Sequence, residues 1–197
     1  MKVLGPDYYK HLDVLHLSQD LLGKFLFTKI GSDVTGGMIV ETEAYRGPED
    51  KASHAYGNRK TKRNAVLYEA GGVCYVYLCY GIHALFNVVT GEEGKSHAIL
   101  IRAIEPVFGV DKMLKRRKKE KLVQSLASGP GSLTQALGII LKHNGLPLTD
   151  SLIWIEDQGV YVSPSETITS ARIGVEYAGE DALLPWRFRI KDNLWSN

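Results

Sequence analysis

Hydrophobic positions change period several times along this chain, and each change marks an element. Apolar residues at 12, 14, 15, 17, 21 and 22 follow helical spacing, so 12–22 reads as an amphipathic helix that Gly23 ends as a C-terminal cap. The next run, KFLFTKI at 24–30, is rich in aromatic and β-branched residues and reads as a strand. Gly31-Ser32-Asp33 and the Gly36-Gly37 pair are expected to turn it into a second strand at 38–45, giving an antiparallel pair. Residues 46–63 then form a long polar loop containing Pro48, Gly57 and Asn58, and loops of that length in compact domains are more often functional or mobile than idle.

Gly71-Gly72 opens a strand at 73–80, in which Tyr75 and Tyr77 share one face and Val76, Leu78 and Tyr80 the other. Gly81-Ile82-His83 reverses the chain into a return strand at 84–90, whose apolar run LFNVV is broken by Asn87. Residues 98–104 form an apolar strand with Arg102 in its middle, which Pro106 is expected to end, and 107–121 reads as an increasingly basic helix. The small-residue loop 128–132 feeds a helix at 133–137, and short strands are expected at 152–156, 161–163, 172–175 and 186–190, closing the sheet without chemistry of their own. With no repeat and no linker, this order predicts one α/β (α+β) domain over 1–197, a curved, mostly antiparallel sheet with flanking helices.

Composition narrows the class. Hydrophobic residues are 44% and charged residues 23%, which excludes a disordered or fibrous chain. At 197 residues such a domain buries about 70% of the surface its unfolded form exposes, so no staple is needed. No apolar run approaches the roughly 20 residues of a membrane helix, and Met1-Lys2-Val3-Leu4 meets Gly5-Pro6-Asp7 at once, unlike a secretory signal. The expectation is an intracellular monomer with no membrane partner, cytoplasmic in a bacterium or nuclear if eukaryotic. Cys74 and Cys79 have opposite parity within one strand, so they face apart and cannot pair. Without a His/Cys cluster at ligand spacing, neither metal nor cofactor is expected.

A net charge of +2 says little about nucleic acid by itself, but its distribution says more. Basic residues gather at Arg59-Lys60-Thr61-Lys62-Arg63 and across 112–121, where seven of ten positions are Lys or Arg. Such runs are usually solvated faces; the first is favoured as a phosphate contact, through Arg59 and Arg63, because it directly follows the densest chemistry in the chain.

That chemistry is the stretch MIVETEAYRGPEDKASH at 38–54. Strand alternation places Glu41, Glu43 and Tyr45 on one face, with the two Glu Cα atoms roughly 6.5 to 7 Å apart. On spacing alone the pair reads first as two hydrated acids at a solvent-facing edge; the separation also falls in the range where a carboxylate can activate water against a glycosidic carbon. Burying Arg102 costs several kcal/mol unless an anion meets it, and Glu43 or a DNA phosphate is the natural partner. Tyr80, at a hairpin tip where core burial is awkward, is a candidate wedge between stacked bases. Asn87 must find hydrogen-bond partners or line a cavity.

The run VETEAYRGPEDKASH, followed in order by YVYLCYGIHALFNVV at 75–89, LIRAIEP at 100–106 and SGPGSLTQALGI at 128–139, resembles the motifs of the alkyladenine DNA glycosylase family almost throughout the chain. The resemblance implies that family's fold rather than the helix-hairpin-helix one, and monofunctional hydrolysis of damaged purines (3-methyladenine, 7-methylguanine, hypoxanthine, ethenoadenine) in double-stranded DNA. It makes Glu43 the catalytic residue with Arg102 beside it, places Tyr45, His54, Tyr77 and Asn87 around a flipped base, and leaves Tyr80 as the wedge. Where the family commonly has lysine before the helix-opening leucine, this chain has Ser132. The resemblance also implies that no Schiff base forms during the reaction. Two rival classes remain: a binding module using Tyr75, Tyr77 and Tyr80 as a stacking platform with no need of Glu43, and a hydrolase of small nucleosides using Glu41 and Glu43.

Overall fold

The computed structural model describes residues 2–11, 13–149 and 151–196. In chain order its elements are β1 (Lys2–Val3), α1 (Pro6–Tyr9), α2 (Val14–Asp20), β2 (Phe25–Ile30), β3 (Asp33–Arg46), β4 (Cys74–Cys79), β5 (His83–Thr90), β6 (His97–Phe108), α3 (Val110–Arg117), α4 (Pro130–Leu137), β7 (Ile153–Asp157), β8 (Thr167–Ser170) and β9 (Arg187–Ile190), joined by single 3-10 turns. Among the described residues nine strands form one antiparallel sheet in the order β1-β7-β2-β3-β6-β5-β4, with β9 added to β3 and β8 to β9. The expected fold class is the observed one.

Strand β3 is the axis of this sheet. One of its edges pairs with β6 from Gly36 to Arg46, while the other pairs first with β2 and then, at Glu41–Glu43, with β9. Alternation divides the central strands into two faces. Val40, Ala44, Cys74, Val76, Phe86, Val88, Ile99, Ile101 and Ala103 enter the main core with α2 and α4, and Thr42 on that face accepts a hydrogen bond from Ser18 of α2 at 3.0 Å. The intervening positions, Glu41, Glu43, Tyr45, Tyr75, Tyr77, Asn87, Leu100 and Arg102, are left for the opposite face.

Several boundaries differ from the sequence reading. Gly36 and Gly37 do not turn the chain; Gly31-Ser32 does, and the glycine pair lies inside β3. A Cβ on Gly36 would lie 2.2 Å from the Phe27 ring and one on Gly37 2.5 Å from the Glu105 carbonyl oxygen, so both positions are glycine for close packing. Pro106 does not end its strand either. β6 runs on to Phe108, with Pro106 opposite Gly37 at a register shift and beyond the part paired with β5, where a residue lacking N–H is tolerated. Consequently α3 starts at Val110, not 107, and the left-handed Lys118 ends it at Arg117.

The first helix is shorter than periodicity suggests. α2 begins at Val14, because Asp13 accepts hydrogen bonds from the Leu15 and His16 N–H groups; the expected start at Leu12 lies outside the described residues. In the C-terminal third, 161–163 and 172–175 are not strands, while Thr167–Ser170, unmarked by the sequence reading, pairs with β9. The basic run 112–121 is partly turned inward. Arg116 donates to Thr35 and to the Ala136 carbonyl at 3.0 Å each, and Arg117 donates to the Ser132 hydroxyl at 3.1 Å.

Candidate active site

Burial excludes one reading of the acid pair. Glu41 is 1% and Glu43 0% exposed, so neither is a hydrated edge residue. Arg102, 7% exposed, bridges them: its Nε donates to Glu41 Oε1 at 2.8 Å, and its Nη1 lies 3.2 Å from Glu43 Oε1. Burial disfavours the guanidinium's charge, but Glu43 and then Glu41 outweigh that and hold it above its ordinary pKa. Glu43 is tied further by the Tyr45 hydroxyl, which donates to Oε2 at 2.8 Å, and by the Ile173 N–H, which donates to Oε1 at 2.8 Å. Burial and the neighbouring Glu43 push the Tyr45 phenol well above its usual range, so it stays protonated and can serve as that donor.

In front of this cluster lies a cleft of about 300 Å³, lined by Tyr45, His54, Tyr77, Asn87 and Arg102 among others, with Ile173 to Val175 and Tyr177 on its C-terminal side. Glu43 lies one side chain behind the wall, reached through Tyr45 and Arg102. The Tyr75 and Tyr77 rings stack at 5.3 Å, and His54 meets Tyr77 edge-on at 4.6 Å. Nδ1 of His54 shares a hydrogen bond with the Tyr75 hydroxyl at 2.9 Å, leaving Nε2 for a ligand. Burial, then the charge of Arg63, lowers the His54 pKa, so the imidazole is neutral at pH 7; burial pushes the Tyr75 phenol up to about 12. Asn87, buried opposite Leu100, donates to the Tyr75 carbonyl at 3.1 Å.

Tyr80 stands at the β4–β5 tip, 89% exposed and at the rim of the cleft. Strand alternation would turn it away with Val76 and Leu78, but left-handed backbone at Tyr80 (φ 51°) and Gly81 (φ 74°) breaks the alternation. Arg59 and Arg63 line an adjoining groove that shares Ser53, His54, Tyr75 and Tyr177 with the cleft. Arg63 also lies 5.5 Å over the Tyr77 ring and donates to the Leu78 carbonyl at 3.1 Å, whereas Arg59 stays in the groove.

The sequence reading assigned the C-terminal third no chemistry, and here the structure overturns it. Arg187 of β9 donates to Glu41 Oε1 at 2.7 Å. Arg172, buried, pairs with Asp50 through both terminal guanidinium nitrogens, Nη1 to Oδ2 and Nη2 to Oδ1, the latter at 2.8 Å, and lies 4.8 Å from the Tyr45 ring and 5.1 Å from Trp186. One signal was present: RFRI at 187–190 carries two arginines at strand period, mirroring the two acids of ETE at 41–43, and β9 pairs with β3 at those residues. Nothing local marks Arg172 or Asp50, since their partners are 122 residues apart in sequence.

A large antiparallel sheet carries a buried acid and guanidinium behind an aromatic cleft with a basic flank, and comparison with known proteins gives the class, a DNA glycosylase. The family model described as methylpurine-DNA glycosylase (MPG) matches residues 7–194, and the chain belongs to that family. A provisionally named 3-methyladenine DNA glycosylase of Chlamydia felis is 50% identical over 190 residues, 95% of this chain and 96% of the relative. Proteins provisionally given the same name in Desulfitobacterium hafniense and Francisella tularensis are 41% and 44% identical, covering 99% and 93% of this chain and 98% and 93% of their own lengths. The protein is a DNA repair enzyme, a hydrolase of N-glycosyl bonds with DNA as its substrate.

Proposed function

We propose that this glycosylase removes alkylated or deaminated purines from duplex DNA, rotating the nucleotide out of the helix into the cleft between Tyr45, His54 and Tyr77 and hydrolysing its N-glycosidic bond. The observation that carries the reading is the connection of one aromatic cleft to buried Glu43 through the Tyr45 hydroxyl and Arg102. A stacked base is out of reach of any such site, and extruding it costs a few kcal/mol. Tyr80 fills the gap left in the stack, and Arg59 and Arg63 meet backbone phosphates. Alkylation puts positive charge on the purine, which aromatic faces attract. His54 contributes one hydrogen bond through Nε2, and Asn87 crowds the 2-amino group of normal guanine.

Glu43 accepts a proton from water directed at C1′, and its charge stabilises the oxocarbenium-like transition state. Because the carboxylate lies behind the wall, the water enters between the Tyr45 hydroxyl and Arg102. The water oxygen bonds to C1′, the C1′–N bond breaks, and the base leaves with the bonding pair. No lysine is among the residues that line the cleft, so the strand is left uncut at an abasic sugar.

The test is single-turnover excision from duplexes that each carry 3-methyladenine, 7-methylguanine, hypoxanthine, ethenoadenine or undamaged guanine. Free base should be released from the damaged duplexes, with strand breakage only after alkali. Glu43→Gln should lose about a hundredfold or more in rate, the scale of general-base catalysis, while still binding damaged DNA. Parental rates in that variant would overturn the assignment, and Asn87→Ser should raise guanine release relative to hypoxanthine or lose its place in the pocket.

A further inference from the structure

Glu41 and Glu43 share a strand face, yet their surroundings differ. Glu43 contacts Tyr45, the Ile173 N–H and Arg102, and Arg102 borders the cleft. Glu41 instead takes two guanidinium Nε–H groups on one oxygen, from Arg102 at 2.8 Å and Arg187 at 2.7 Å. The register sets Arg187 of β9 across from Glu43 and Arg189 across from Glu41, so a row of two acids lies against a row of two arginines on one face. Glu41, Glu43, Arg102 and Arg187 form a buried cluster of two carboxylates and two guanidinium groups, with Arg189 beside Glu41 in the register.

The polar groups around Glu43 come from every element packed on it: Glu41 and the Tyr45 phenol from β3, Arg102 from β6, Arg187 from β9, the protonated Tyr77 phenol from β4, and the Ile173 N–H and Arg172 from the 172–175 segment. We infer that Glu41 and Arg187 are positioning residues that set the charge on the catalytic carboxylate. Glu41 fixes Arg102 by its Nε so that Nη1 meets Glu43, and Arg187 shares in balancing the charge of Glu41 so that Arg102 stays with Glu43. This rests on Glu43 being the base of the proposed reaction.

The two residues act on Glu43 in opposite senses. Removing the charge of Glu41 leaves the arginines facing Glu43 alone, which favours its ionised form. Removing Arg187 takes one cation from Glu41, which then competes more strongly with Glu43 for Arg102, and this disfavours the ionised form. The experiment is the pH profile of single-turnover kcat/KM for hypoxanthine excision, whose acid limb reports the free enzyme's base. In Glu41→Gln, where the amide oxygen can still accept both N–H groups, the limb should move about one unit to lower pH. In Arg187→Met it should move about one unit to higher pH, the order expected from one charge a few ångströms away in a partly desolvated site.

Arg187→Lys should restore most of the parental profile. If Arg187→Met does not fold, Arg187→Gln, which also removes the charge, is expected to move the limb in the same direction. Thermal melting of each variant separates lost fold from moved titration. Unshifted limbs, or shifts in the same direction for both substitutions, overturn the inference while an inactive Glu43→Gln leaves the proposed reaction standing. An active Glu43→Gln overturns that reaction itself.

Discussion

His54 illustrates how far one residue's role follows from its surroundings. A loop histidine is ordinarily exposed, but this one is packed against Tyr75 and Tyr77, and burial together with Arg63 lowers its pKa from 6.5. A depressed histidine pKa means that the unfolded chain binds the proton more readily, so the stability this neutral residue contributes is present above about pH 6.5 and lost as pH falls through the lower folded value. His54→Gln should therefore flatten part of the acid-side decline in melting temperature between about pH 7 and 5; His97 and His143, lowered in the same direction, leave the remainder. An unchanged slope in that window would place the proton elsewhere. At this scale the sequence was informative wherever a residue violated its setting: a guanidinium inside an apolar strand demands a carboxylate, and Arg102 has two. Arg172 violated nothing visible, because its setting is made by Asp50, Tyr45 and Trp186, all distant in sequence.

The β4–β5 hairpin joins two demands that oppose each other. Tyr80 has φ 51°, a conformation that costs a residue other than glycine or asparagine roughly 1 kcal/mol or more, and its ring packs on almost nothing. A tyrosine retained for the fold would not be placed there. Tyr80→Gly should keep or slightly raise the melting temperature while losing excision, and lose more when the lesion is stably paired than when it lies in a mismatch, where extrusion is cheaper. A lower melting temperature with unchanged excision in both contexts would make the ring structural. The hairpin was legible because Gly81 and the flanking alternation are local signals. The segments at 161–163 and 172–175 misled for the converse reason: their short apolar runs pack as irregular chain, and backbone partners, which a sequence does not display, decide what becomes strand. Ile173 shows the consequence, since its N–H serves Glu43 and not a ladder.

Over the whole molecule, period-two alternation sorts the central strands into a face for the core and a face for the site, which is why so much of the site could be read before its geometry was known. β9 could not be read in the same way, because its attachment to β3 follows a long excursion through β7 and β8. That attachment leaves the segment bearing Glu41 and Glu43 paired on both edges, to β6 and to β9. Its successive amides point to opposite edges, so freeing Thr42 and Glu43 together requires losing both neighbours, an event close to global unfolding. In deuterium exchange the amides of Thr42 and Glu43 should be among the slowest in the protein, with the Tyr80 tip among the fastest. Heat should then inactivate the enzyme only as it melts, so that the loss of excision on warming overlays the unfolding curve; activity vanishing well below that transition would mean that the carboxylates' strand opens by itself.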